Sequence, residues 1–167
     1  AGAVAAPRDG KSDIPTITPI GEMFPADPVS LSALLAPMGL GVGPTVPVRE
    51  WRELYAALDC AAAAAIHPHY TAATRSFKAA GRPVVGSAPV GCEGAAAWLA
   101  AIGEACGIEA RKTNAARDAA VAATRGALES TPINARITLS GYEGSELLVG
   151  RLLVESGADL RYVGTAV

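Results

Sequence analysis

The chain holds 167 residues, half of them hydrophobic and 18% charged, with a formal net charge of −2. That is enough for one domain, or one domain plus part of another, with the apolar content of a packed core rather than a disordered chain. No basic run offers a nucleic-acid groove, no apolar stretch reaches the roughly 18 residues of a membrane span, and no charged-then-apolar leader of the signal-peptide kind is present.

Residues 1–14 are small, polar and rich in Pro and Gly, and read as an arm or linker. Ile14–Ile20 reads as a strand. Its tip, Gly21-Glu-Met-Phe-Pro-Ala26, leads into a helix over Asp27–Ala36, with Asp27 as a good N-cap and Pro28 at the first helical position. Pro37 and Gly39 stop that helix. Leu40–Val46 reads as a strand weakened by Gly41, Gly43 and Pro44. Arg49–Leu58 reads as a helix, with Trp51, Leu54, Tyr55 and Leu58 at i, i+3, i+4 and i+7, the spacing of a core-facing stripe.

Cys60–Ile66 is alanine-rich, and propensity alone favours a helix. Its shortness and the His67-Pro68 that ends it favour a buried parallel strand instead. A helix over Thr71–Ala80 closes on Gly81, and Arg82–Gly86 is a fourth strand with the tip Ser87-Ala-Pro-Val-Gly-Cys-Glu-Gly94. Helices follow over Ala95–Cys106, with Trp98 on an inward face, and over Lys112–Leu128. Ser130-Thr-Pro-Ile-Asn134 reads as a boundary. Beyond it come a strand (Arg136–Leu139), the tip Ser140-Gly-Tyr-Glu-Gly144, a helix (Ser145–Ser156) and a last strand (Asp159–Val163). The expected organisation is a linker over 1–14, a Rossmann-like α/β domain over 15–131, and over 132–167 the first βαβ unit of a second, truncated Rossmann-like domain. One βαβ cannot bury a sheet face alone, so a further domain is expected beyond it, with an exposed apolar edge and a tendency to self-associate.

Open α/β sheets bind ligands past the carboxyl ends of their strands, so the chemistry is sought at the tips. His67-Pro68-His69-Tyr70 is the densest polar tip. Its two histidines read as a solvated or structural pair, as a ligand-facing pair, or as metal ligands, although no Asp, Glu or Cys within four residues completes a metal set. Glu22 is a loop acid or a cavity-lining acid able to orient or protonate a substrate. Met23 and Phe24 either cover a flat apolar ligand or close the end of the sheet. Gly141-x-x-Gly144 is a tight turn or an anion-facing loop, and it lacks full dinucleotide-binding spacing. Cys60, Cys92 and Cys106 form no CxxC pair. They read as reduced thiols of a cytoplasmic protein rather than as a shared metal cluster.

The tip wording is particular. Thr18-Pro-Ile-Gly-Glu-Met-Phe-Pro-Ala-Asp-Pro28, Arg49-Glu-Trp-Arg-Glu-Leu-Tyr-Ala-Ala-Leu-Asp59, Gly86-Ser-Ala-Pro-Val-Gly91 and Leu139-Ser-Gly-Tyr-Glu-Gly-Ser-Glu-Leu-Leu148 resemble the Y-type catalytic subunits of the chlorophyllide a reductases. These belong to the nitrogenase-like oxidoreductases of bacteriochlorophyll synthesis, and the likeness runs from about Ile17 to Thr165. The resemblance implies the middle Rossmann-like domain of a three-domain subunit, plus the first βαβ of the third. It implies a catalytic heterotetramer with subunit Z and an ATP-Mg-hydrolysing reductase subunit X as electron donor. A [4Fe-4S] cluster would relay electrons to chlorophyllide a. The cluster cysteines lie in the family's first domain, outside this stretch, so no metal ligand is assigned here. Related nitrogenase subunits carry a metal-ligating cysteine after the pair matching Ile66-His67; here Pro68 stands there and has no ligand atom.

On the same resemblance the tips line a central cavity. Glu22, His67, His69 and Glu143 are then candidate proton donors, and Met23, Phe24, Tyr70 and Tyr142 candidate substrate contacts. The fragment by itself is expected to be inactive. The alternative from a different class is a stand-alone α/β module that binds a small ligand.

Overall fold

The computed structural model describes residues 13–22, 27–141 and 144–165. Strand β1 (Thr16–Ile20) is buried from Ile17 onward. Helix α1 (Pro28–Leu35) starts as its sequence dictates. The Asp27 carboxylate accepts the amides of Val29 and Ser30 at 2.9 and 3.0 Å, and Pro28 fills the first turn. A short 3₁₀ turn (Ala36–Met38) ends on Gly39, whose φ of 73° suits glycine.

Strand β2 (Gly41–Val42) is shorter than its Leu40–Val46 apolar run. The Gly43 amide still donates to the Ile17 carbonyl at 2.8 Å, but Pro44 has no N–H to continue the ladder, and the chain rejoins β1 as a bridge between Ile20 and Val46. Helix α2 (Glu53–Leu58) also begins late, after a turn in which the Glu53 carboxylate accepts the amides of Arg49 and Glu50 at 3.0 and 3.3 Å. Strand β3 (Ala62–Ala65), helix α3 (Thr71–Ala79), strand β4 (Val84–Gly86), helix α4 (Gly91–Ala105) and the long helix α5 (Ala110–Ser130) follow.

Strands β1 to β4 form one parallel sheet in the order β2-β1-β3-β4. β3 lies at its centre, and Ala62, Ala63 and Ala64 are fully buried. Small side chains serve there because helices cover both faces. On one face Ile17, Ala62, Ala64 and Ile66 meet Leu31, Leu35, Trp98, Leu99 and Ile102; on the other Ile20, Ala63 and Cys60 meet Ala57 and Phe77. Trp98 is buried as expected. Trp51 is not: it is 68% exposed, edge-on to Tyr55 at 5.7 Å, and Leu54 and Tyr55 are exposed with it. Trp51, Leu54 and Tyr55 thus face outward and only Leu58 of the expected stripe packs inward, because α2 meets the sheet through Ala57 and Leu58.

Strands β5 (Arg136–Ser140) and β6 (Asp159–Gly164) form a separate two-stranded parallel sheet, with helix α6 (Glu146–Glu155) as the crossover. Gly150 lets α6 approach: a Cβ there would meet Leu160 at 3.2 Å and Val163 at 3.4 Å. Leu148 and Leu152 rest against the first core cluster, and α6 lies on α4. None of the described helices is long and apolar enough to cross a membrane.

Candidate functional site

β1 pairs with β2 on one side and β3 on the other, so successive crossovers leave in opposite directions. The crevice of such a sheet opens past the carboxyl ends of the two strands at the reversal, here β1 and β3. Two of the sequence-predicted tips are therefore neighbours. The amide of Ile66 donates to the Ile20 carbonyl at 3.0 Å, which carries the chain into His67 directly beside Gly21.

Gly21 has a φ of +92°. A Cβ on it would overlap the Cβ of His67 and come within 3.0 Å of the Tyr70 ring. Glycine is the residue that lets the two tips close on each other. The ring of His67 lies 5.1 Å from that of His69 and 5.7 Å from that of Tyr70, the latter nearly perpendicular at 83°. The His69 amide donates to His67 Nδ1 at 3.3 Å. With Nδ1 accepting, the proton of the neutral ring is assigned to Nε2, which is the atom left to face a ligand.

His67 and Tyr70 are half-buried, whereas His69 and Glu22 are exposed. The structure thus brings together His67, His69 and Tyr70 with Gly21. Glu22 follows on the chain but points into solvent. Met23, Phe24, Tyr142 and Glu143 lie outside the described residues.

Two acids that the sequence reading passed over are set into the fold. Glu146, in the first turn of α6, is only 5% exposed. Its carboxylate fills the space where a Cβ on Gly141 would stand, and it accepts the Thr165 hydroxyl at 3.0 Å. Gly144 has a φ of +75° and Gly141 makes room for the Glu146 carboxylate; the two central residues of Gly141-x-x-Gly144 lie outside the described residues. An acid directly after Gly-Ser at a helix start was the available signal for Glu146. The other acid, Glu155, caps α4 from α6.

The cysteines do not fit an iron–sulfur ligand set. Cys60 precedes β3, Cys92 lies in the first turn of α4 and Cys106 ends it. All three thiols are pushed up chiefly by burial, the opposite of the thiolate that a metal requires. Among the described residues no three His, Cys, Asp or Glu side chains gather as a metal site.

A family profile described as nitrogenase component 1 type oxidoreductase matches residues 3–167. Two curated relatives are each named chlorophyllide reductase 52.5 kDa chain. The one from Cereibacter sphaeroides is 68% identical and the one from Rhodobacter capsulatus 64%, each over 166 residues. Those alignments cover 99% of this chain and 33% of each relative, so the chain spans about a third of their length. Among solved structures, nitrogenase Cp1 at pH 6.5 superposes with a TM-score of 0.72 at 14% identity, covering 97% of this chain and 33% of that one. Nitrogenase Cp1 at pH 5 gives 0.68 at 13% identity, covering 97% and 34%. At such identities the likeness is one of fold, and it matches the α/β architecture expected from the sequence. The profile and the curated relatives bear out the resemblance carried by the tip motifs: the chain belongs to the nitrogenase component 1 type oxidoreductase family.

Proposed function

We propose that this chain is part of the catalytic subunit Y of a chlorophyllide a reductase, and that its strand tips line the pigment cavity. The observation that supports this most directly is the tip pair at the sheet reversal. A histidine and a tyrosine stand against Gly21, and Pro68, which has no ligand atom, follows His67. A chlorin is flat and apolar with a few polar edges, and aromatic edges with one or two fixed donors suit it better than a metal-ligating set. The names of the relatives point the same way.

In this reading two electrons and two protons add across one C=C bond of the macrocycle. In the parent complex a [4Fe-4S] cluster, held outside these residues, would supply the electrons, with subunit X and ATP-Mg as their source, and subunit Z would complete the cavity. The complex works in the cytoplasm. This chain's own part is to bind, orient and hold a proton. His67 is the foremost donor, because the His69 amide fixes its ring and leaves Nε2 directed away from that bond. Tyr70 braces the ring edge-on. His69, Glu22 and Glu143 are further proton donors of the proposal, and Met23, Phe24 and Tyr142 its further pigment contacts.

The test is His67→Gln in the assembled reductase. Turnover should fall by about 10²–10⁴-fold, the usual contribution of a positioned general acid, with pigment binding retained. Unchanged turnover would remove His67 from the mechanism. The tautomer has its own readout in the two histidines of this chain. At alkaline pH, ¹⁵N-detected histidine spectra should show His67 as a single Nε2–H form and the exposed His69 as a mixture.

A further inference from the structure

Helix α4 starts without a local cap: its N-cap position is Val90, which has no side-chain acceptor. Its first amides are instead satisfied from the far end of α6. Cys92 donates to Glu155 Oε2 at 2.5 Å and Glu93 donates to Oε1 at 3.2 Å, so each carboxylate oxygen takes one N–H. Gly91 makes the approach possible. Its φ is +73°, and a Cβ on it would lie 2.6 Å from Oε2.

Glu155 therefore joins the two-stranded unit to the four-stranded one. The rest of this junction is modest, with Leu148 and Leu152 half-buried against the core. The connecting segment bonds to the two-stranded side: Ile133 donates to the Ser156 carbonyl at 2.8 Å, and Asp159 to the Ala135 carbonyl at 2.9 Å. Beside the junction is a hollow of about 340 Å³, lined by Cys92, Glu93, Arg125, Leu128, Glu129 and Glu155. Glu93, Glu129 and Glu155 bring three carboxylates to this hollow beside Arg125, and Glu155 alone sits on the positive end of α4. A contact built from opposed charges and a small apolar area is suited to opening.

We propose that Glu155 is a latch between the two units: seated on the α4 N-terminus it holds them together, and its release widens the hollow and exposes the half-buried Cys92 further. With the latch seated, burial and the Glu155 carboxylate both push the Cys92 thiol up, which lowers its thiolate fraction. Opening removes both causes.

The experiment is timed iodoacetamide labelling of the full chain, mapped by mass spectrometry, with amide exchange followed at Cys92 and Glu93. Glu155→Gln keeps the size and removes the charge. Gly91→Ala keeps the charge and displaces the carboxylate. Both should speed labelling of Cys92 severalfold as its thiol becomes more exposed, while labelling of the buried Cys60 stays slow. Exchange at Cys92 and Glu93 should rise with core exchange in β3 unchanged. Should Gly91→Ala fail to fold, Glu155→Gln decides alone. Unchanged Cys92 labelling and exchange in Glu155→Gln overturns the latch, and so does a matching rise at Cys60, which would mean general loosening.

Discussion

Gly21 and Asp27 bracket the first tip and work by different physics. At Gly21 both the backbone and the space demand the absence of a side chain. Gly21→Ala should lower stability by about 1–3 kcal/mol in urea denaturation, and disturb the His67 ring signals more than a remote variant of equal cost. Asp27 acts by charge. Bonds from the Ser30 hydroxyl and from the Ser30 and Val29 amides hold its carboxyl below the usual range. A carboxyl lowered on folding stabilises the fold above its unfolded value and loses that contribution as pH falls through the folded one. Asp27→Asn should thus show a lower Tm than the parent chain near neutrality, and the gap should close in acid. The Asp27 cap was legible in the sequence, since Asp-Pro acts on its own helix. The need for glycine at 21 was not, since the atoms it avoids belong to residues 67 and 70.

Among the elements, β3 shows tertiary context overriding propensity. Five consecutive alanines, residues 61–65, favour a helix, yet β3 is a strand because β1 and β4 flank it and helices cover both faces. The close approach of those helices leaves no room for larger side chains. Ala63→Leu should destabilise by about 1–3 kcal/mol through overpacking, read from the denaturation midpoint. Thr18, on β1, is fully buried and its hydroxyl donates to the Ala57 carbonyl at 2.8 Å, tying α2 to the sheet. Thr18→Val keeps the shape but leaves that carbonyl unpaired, and should cost about 1–3 kcal/mol in the same assay. The strand at β3 could be read from its length and the proline after it. The late starts of α2 and the early start of α4 could not, because a side chain four residues on and one more than sixty residues away do the capping.

Over the whole molecule, apolar surface remains where helices face outward. Trp51 just before α2 and Leu54 and Tyr55 on it form one such stripe, and Leu147 and Val154 are exposed on α6. Exposed apolar patches of this kind promote association. The chain is expected to self-associate at high concentration, and Trp51→Glu should shift its sedimentation toward the monomer; identical sedimentation would mean that the stripe is not the contact.

The sequence by itself determined the order of strands and helices, the parallel α/β class and where the strand tips fall. Periodicity, caps and turn residues act within a few positions, so they can be read along the chain. Its particular tip motifs also carried the family. Only the tertiary structure decided which tips meet, which face of α2 is inward, and that Glu146 and Glu155 are structural carboxylates. Those outcomes depend on the sheet order and on how closely helices approach each other. They are set by steric fit and buried hydrogen bonding between residues distant in sequence, for which no local pattern stands.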